Sequence, residues 1–263
     1  MLGCRVQIGN ESVWAEEGGF EYVDLDRIDF SDENPWRRKY LEFVATLKAH
    51  FAERIPVGQP ILRGPSDMIA AMRGSSEMIF DLYDRPDDFR RLAERCTEFA
   101  NGLVRAQHAI TGPFAGGYLI EQLGLWAPDR LARLQEDSSA LFSPDLYTTL
   151  LQPWDRRMAE AFPYAAIHLH SSSLFLLDRI LDVQALRCIQ INKDVGNTAI
   201  ADMLPYLQMA QARQRSLLIR GKLDLEDLAL LRANLSPDGL YLQVVVETAA
   251  ETSRLREFFA PWV

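Results

Sequence analysis

The stretch AAIHLHSSSLFLLDRILDVQALRCIQI, residues 165–191, decides the fold class of this chain. It holds two short apolar runs, Ala165 to Leu169 and Arg187 to Ile191, on either side of a segment that opens with three serines. Serine is a favoured residue at the start of a helix, and near-continuous apolar runs are typical of strands covered on both faces. The stretch therefore predicts a strand, a helix and a second, parallel strand.

The same alternation of short strands and longer helical patterns extends over the rest of the chain. Further strands are predicted at Cys4 to Ile8, Pro60 to Arg63, Tyr118 to Glu121, Leu131 to Gln135, Ser216 to Arg220 and Leu240 to Val246. Helix starts are predicted at Arg85-Pro, Ser143-Pro-Asp, Asp224-Leu-Glu-Asp and Thr248-Ala-Ala-Glu. We expect an α/β protein with a (β/α)8 TIM-barrel-like sheet.

Two features bear on how complete such a barrel can be. The strands beginning at Tyr118 and Leu131 lie too close for an intervening helix, and the first 60 residues offer one convincing strand. We therefore expect a barrel that can be incomplete at its N-terminus. No linker, repeat or low-complexity segment divides the chain, which predicts a single domain over residues 1–263.

Composition and charge narrow the class of partner. The 263 residues carry a net charge of −9, and a pI near 5.0 argues against nucleic acid or an anionic membrane as partner. Three separated cysteines without a C-x-x-C pair indicate a reducing compartment. The start of the chain does not resemble a signal peptide, and no run approaches the length of a membrane span. We expect a soluble, cytoplasmic protein.

Candidate functional residues follow from the predicted strands, because catalytic groups of a parallel barrel collect at the carboxyl ends. The strongest candidates are His168 and His170, whose i, i+2 spacing on one strand places both rings on the same side. Two such imidazoles can share a divalent ion such as zinc. The alternative is that one histidine is hydrogen-bonded in the barrel interior while the serines cap the next helix.

Other strand ends supply weaker candidates, each with a structural alternative. Arg63 can contact an anion beside the turn Gly64-Pro-Ser-Asp67, where Ser66 can equally be a helix cap. Asp137 can serve proton transfer or metal binding, or lie in a solvated loop. Trp126 can line a substrate site or anchor a loop. The same filter returns the polar residues Glu121, Gln190, Asn192, Arg220 and Glu247, and Glu247 can equally lie near the positive end of the helix that follows.

The motifs together resemble the uroporphyrinogen decarboxylase superfamily over roughly residues 11 to 259. The run from Pro56 through Gly64-Pro-Ser-Asp67 to Phe80-Asp-Leu-Tyr-Asp-Arg-Pro-Asp87 is similar to its "Gly-Pro-x-Asp … Asp-Leu … Pro" pattern. Asp137-Ser-Ser-Ala-Leu-Phe-Ser-Pro-Asp-Leu-Tyr147 and then Pro153 match its "Asp … Ser-Pro … Pro" stretch. His168-Leu-His170 occupies the place of its "His-x-Cys" or "His-x-Asp" strand end.

The chain also departs from these relatives. It lacks the Arg-Gln-Ala-Gly-Arg-Tyr segment with which the decarboxylases bind porphyrinogen carboxylates. The zinc-dependent methyltransferases of the superfamily use a His-x-Cys pair and a late Cys, whereas here His170 replaces the first Cys and no Cys stands near Val245 to Glu247.

The resemblance implies three alternative functions. The leading one is metal-dependent methyl transfer linked to a corrinoid carrier protein, with zinc held by His168, His170 and Glu247 or Asp137. The second is metal-free decarboxylation of a tetrapyrrole or similar substrate, in which Arg63 and Arg220 hold carboxylates and Asp137 stabilises a protonated intermediate. The third is a non-catalytic binding relative.

In a catalytic member, the substrate would contact Trp126, Glu121, Gln190 and Asn192. Unpaired edges of an incomplete sheet also favour a homo-oligomer.

Overall fold

A five-stranded parallel sheet forms the centre of the protein, seen in a computed structural model that describes residues 1–10, 13–194 and 198–259. Its strands, in chain order, are β5 to β9, and each pairs with the next. All strands of the described residues are β1 (Val6–Ile8), β2 (Val13–Ala15), β3 (Tyr118–Ile120), β4 (Leu125–Ala127), β5 (Leu131–Gln135), β6 (Tyr164–His170), β7 (Leu186–Lys193), β8 (Ser216–Gly221) and β9 (Leu240–Val244).

Helices precede the sheet and connect its strands. They are α1 (Pro35–Phe51), α2 (Pro65–Arg73), α3 (Ser75–Asp84), α4 (Pro86–Thr111), α5 (Pro144–Leu146), α6 (Gln152–Glu160), α7 (Leu177–Leu181), α8 (Ile200–Ala212), α9 (Leu225–Asn234) and α10 (Ala249–Phe259). The predicted starts are confirmed where side chains cap them: Ser143 accepts from the backbone N–H of Leu146, and Asp224 forms a capping box with Asp227.

The sheet has one apolar face and one largely polar face, because strand side chains alternate. Ile167, Leu169, Ile189, Ile191 and Ile219 belong to the main core, together with buried residues of the helices. The opposite face carries two rows of side chains in register. One row contains Gln135, His168 and Gln190, and the row nearer the carboxyl ends contains His170, Asn192 and Arg220.

Three predicted strands lie outside this sheet. Only Val6–Ile8 of the first is extended, and it pairs antiparallel with β2. Tyr118–Ile120 pairs antiparallel with β4 instead of extending the parallel sheet, since a short turn joins them. Pro60 to Arg63 forms no strand in the described structure, and its proline has no N–H to donate to a ladder.

Residues 59–64 nevertheless cover the edge of β5. The side-chain amide of Gln59 donates to the carbonyl of Arg133 and accepts from its N–H, both at 3.1 Å. The N–H of Gly64 donates to the carbonyl of Gln135 at 2.7 Å. A side chain at Gly64 would collide with Glu136, so only glycine allows this approach. The described residues thus show an α/β fold with a five-stranded parallel sheet, and no closed barrel is seen among them.

Within the described part of the chain, no helix combines the length and apolar character needed to cross a membrane.

We predict that the buried ring of His108 makes stability depend on pH. His108 packs between Tyr118 and Phe162, and burial lowers its pKa to about 4. The unfolded chain, with a histidine pKa of about 6.5, then binds the proton first as pH falls. Stability from this residue is complete above about pH 6.5 and is lost progressively towards pH 4. His108→Phe should flatten this dependence in urea unfolding at pH 7.5 and 5.0.

The exposed position His50 gives the control. His50→Phe should leave the difference in unfolding free energy between the two pH values as in the wild type. An unchanged difference in His108→Phe would show that the buried ring does not contribute to it.

Candidate metal centre

Two neighbouring strands bring three potential metal ligands together at the carboxyl edge of the sheet. His168 and His170 lie on β6, and Asp137 lies two residues beyond the end of β5. The turn carrying Asp137 is held by the start of α2, where the N–H and hydroxyl of Ser66 donate to Glu136 and Asp67 accepts from the N–H of Ser138 at 2.7 Å. Ser66 thus fixes this turn, and the N-cap of α2 is Gly64.

The ligand atoms form a nearly equilateral triangle. His168 Nε2 and His170 Nε2 are 3.4 Å apart, and Asp137 Oδ1 lies 3.7 Å from the first and 3.6 Å from the second. Both distances to Asp137 exceed hydrogen-bond length. Asp137 Oδ1 is buried and has no hydrogen-bond partner in the described structure.

Neighbouring side chains determine which atom each ligand presents to the centre. His170 Nδ1 lies 2.7 Å from Asp194 Oδ1, a carboxylate that can only accept, so Nδ1 carries the proton. His168 Nδ1 contacts Oε1 of Gln190, whose amide is oriented by donation to Asn192 at 2.9 Å. Both Nε2 atoms therefore point a lone pair at Asp137 Oδ1.

Asp137 is oriented in the same manner. Its second oxygen, Oδ2, accepts from the side-chain amide of Gln135 at 2.6 Å, which leaves Oδ1 for the centre. Three acceptors with no donor between them repel one another unless a cation lies among them. Metal sites share this feature, in which every ligand is held from behind by a further hydrogen bond.

Burial keeps His168 in the form that binds metal. Burial lowers the pKa of His168 to about 4, despite the opposing hydrogen bond to Gln190, so its ring is neutral at physiological pH. Partial burial alone would raise the pKa of Asp194, but hydrogen bonds from His170 and Ser171 outweigh it and hold that pKa below the ordinary aspartate value. Asp194 is therefore an ionised partner for His170 Nδ1.

The triad is buried on one side and accessible on the other. The side chain of His168 is 7% exposed, whereas those of His170 and Asp137 are 34% and 37% exposed. A metal held by these three atoms would keep a coordination position on the accessible side. Catalytic zinc sites have this composition of three protein ligands and one open position.

The distances fit a small tetrahedral ion. Ligands about 2.05 Å from a tetrahedral metal are about 3.3 Å apart, and those about 2.1 Å from an octahedral metal are about 3.0 Å apart in cis positions. The observed 3.4 to 3.7 Å lies nearer the tetrahedral value. The residues present therefore fit zinc.

The structure distributes the other candidate residues over the molecule. Gln190 and Asn192 adjoin the triad, and Arg220 lies in register with Asn192 on the same face. Glu247 is absent from the triad: its exposed carboxylate pairs with Lys222. Arg63 is exposed and lines a groove between the N-terminal segment and helices α2 and α4.

Two further candidates lie away from the triad. Trp126 is 53% exposed and lines a cavity at the amino ends of the sheet strands, opposite the triad. Glu121 is exposed in the turn after β3, against Gly58.

Sequence reasoning missed Asp194, which orients His170. The signal was present, because Asp194 directly follows β7 and carboxylates at strand ends are candidates in a parallel sheet.

Of the comparisons with known proteins, the comparison with solved structures found a match. No protein-family profile matches the sequence, and no curated protein matches it either. Among solved structures, a methyltransferase from Methanosarcina mazei is similar with a TM-score of 0.63 and 12% sequence identity, over 100% of this chain and 77% of that one. The likeness shows a shared fold.

We predict that each histidine of the triad is required for zinc binding. His168→Ala and His170→Ala should each weaken zinc affinity by at least about 100-fold, since removing a ligand costs more than the 10–100-fold typical of a residue behind the ligands. Isothermal titration of the chelator-treated protein with zinc measures this, with His50→Ala as the control of unchanged affinity. Equal affinity of wild type and the double variant would eliminate the site.

We also predict that Asp194 contributes through His170. Asp194→Asn should weaken zinc affinity about 10–100-fold without abolishing binding, because the ring loses the ionised partner that orients it. Asp182→Asn, an exposed carboxylate paired with Arg213, is the matched control and should bind as the wild type does. A loss as complete as that in His170→Ala would instead make Asp194 a ligand itself.

Proposed function

We propose that this protein is a metal-dependent methyltransferase-like enzyme whose zinc is held by Asp137, His168 and His170. The observation that carries the proposal is the convergence of three oriented acceptor atoms with no donor between them. By resemblance to the superfamily, the methyl donor is a corrinoid on a partner protein. The fold shared with a solved methyltransferase supports the proposal, although fold alone does not define activity.

The donor set suits zinc, and it also suits iron. Two histidines and one carboxylate also form the facial triad of non-haem iron enzymes, in which the ligands are octahedral. The ligand separations here are wider than octahedral geometry gives and close to the tetrahedral value. Metal content by elemental analysis, on protein purified without chelator or metal-affinity tag, distinguishes zinc from iron.

Each residue of the site has a defined task in this proposal. Zinc, when bound, supplies a Lewis acid that lowers the pKa of an acceptor thiol. Asp194 and Gln190 keep the protons of His170 and His168 on Nδ1, so that both Nε2 atoms stay available. The accessible side, bordered by His170 and Asp137, admits the acceptor. Arg220, on the same face, can bind an anionic group of the reactants.

The five-stranded sheet supports a relation to the barrels of the superfamily. We propose that β5 to β9 correspond to consecutive barrel strands, with residues 59–64 and the β3–β4 hairpin in place of the others. Residues 59–64 cover the edge of β5, and the hairpin packs against Leu131 and Leu218 on the inner face. The carboxyl ends then form one mouth, as in TIM barrels.

We predict that the zinc-loaded protein removes the methyl group from methylcobalamin in the presence of a thiol. A panel of small thiols is tested, and loss of the methyl–cobalt bond is followed by absorbance. The rate should require zinc, fall at least about 100-fold in His170→Ala, and be unchanged in His50→Ala, because only the former removes a ligand.

Other outcomes would contradict the proposed function or support one of the alternatives. Zinc-loaded protein inactive with every thiol, or equally active without zinc, would contradict the proposed function. Release of carbon dioxide from a carboxylated tetrapyrrole by the metal-free protein would support the decarboxylase alternative. Neither activity, together with tetrapyrrole binding, would support a non-catalytic relative.

A further inference from the structure

Arg133 is a buried arginine, and two of its side-chain donor atoms have no hydrogen-bond partner in the described structure. It is 3% exposed, and both Nε and Nη1 are buried without a hydrogen bond. The other deeply buried arginines are paired: Arg73 contacts Asp81 at 2.8 Å, and Arg37 contacts Asp32. A buried guanidinium with unused donors is destabilising, so an unpaired one calls for an explanation.

The position of Arg133 directs its charge towards the candidate metal centre. It lies on β5 two residues before Gln135, on the same face, and Gln135 pairs in register with His168. Strand geometry separates the Cα atoms of Arg133 and His168 by about 8 Å. The positive charge of Arg133 is close enough to act on His168, Asp137 and Asp67.

The neighbours of Arg133 in its row across the sheet are small. Its partner across the ladder is Ala166, and the next residue in that row is Cys188, both small. The backbone of Arg133 is satisfied by Gln59, so the side chain alone remains unpaired. This is a cationic group next to small residues on the face that carries the metal triad.

The charge of Arg133 is retained at neutral pH. Burial lowers its pKa to about 10, which still leaves the guanidinium protonated. Asp137 and Asp67 are the carboxyl groups that act on its charge, and a metal would share the charge of Asp137. Zinc, the carboxylates of Asp137 and Asp194 and two neutral imidazoles together carry no net charge, so the positive charge of Arg133 is left over. A bound anion would compensate it.

We propose that Arg133 binds a carboxylate group of the substrate, beside the metal centre. This inference rests on the proposed function only where it concerns the reaction of the bound substrate. Binding of an anion by Arg133 does not itself require a metal. A planar carboxylate matches the bidentate fork of a guanidinium. A phosphate, with its second negative charge, would be repelled by Asp67 and Asp137 nearby.

The test compares a carboxylate with its uncharged analogue. Propionate, propionamide and inorganic phosphate are titrated into the protein at constant ionic strength, with and without zinc. Wild type should bind propionate at least about tenfold more tightly than propionamide or phosphate, because hydrogen bonds to a charged group are the strong ones. Arg133→Met should remove that preference and leave zinc affinity within a few fold. Arg133→Lys, which keeps the charge without the fork, should weaken propionate binding and gives a second variant if Arg133→Met does not fold.

The melting temperature distinguishes anion binding by Arg133 from a purely structural role, because the two roles predict changes of opposite sign in Arg133→Met. Without ligand, Arg133→Met should raise the melting temperature, because it removes an unpaired buried charge. Arg73→Met, the paired control, should lower it. A lowered melting temperature in Arg133→Met with unchanged propionate affinity would overturn the proposal.

Two further results distinguish a wrong choice of ligand from a wrong proposed function. Tighter binding of phosphate than of propionate, dependent on Arg133, would replace the carboxylate by phosphate as the ligand. Propionate binding that depends on Arg133 in a protein that binds no zinc would retain the subsite and reject the metal-dependent function.

Discussion

Mutual repulsion between three hydrogen-bond acceptors is the constraint on which the site depends. His168 Nε2, His170 Nε2 and Asp137 Oδ1 lie 3.4 to 3.7 Å apart, and all three are acceptors when the ring protons lie on Nδ1. Each is directed inward by a partner on its far side, namely Gln190, Asp194 and Gln135. Such an arrangement is unfavourable without a cation, and the hydrogen bonds to these three partners maintain it.

The parallel sheet explains how distant residues meet. Asp137 and Asp194 follow the carboxyl ends of β5 and β7, which flank the strand that carries both histidines. Residues of α2 reinforce the arrangement, because Ser66 and Asp67 bind the turn that contains Asp137. The Gly64-Pro-Ser-Asp67 motif thus positions the candidate ligand Asp137.

The sequence predicted the parallel sheet from β5 to β9 and the pairing of His168 with His170 on one side of a strand, because both depend on local periodicity. It did not predict the amino-terminal part correctly. Pro60 to Arg63 has the composition of a strand, yet Pro60 lacks an N–H and the Gln59 side chain takes the place of ladder bonds to Arg133. The orientation of Asp194 and the unpaired state of Arg133 depend on contacts between distant segments, which no local pattern encodes.

Anomalous diffraction at the zinc absorption edge, from crystals of the zinc-loaded protein, shows whether zinc binds between these three atoms. We expect a peak about 2.0–2.2 Å from His168 Nε2, His170 Nε2 and Asp137 Oδ1, with a further position open to solvent. A fully loaded crystal without a peak among these three atoms, or with its zinc bound elsewhere, would contradict this expectation.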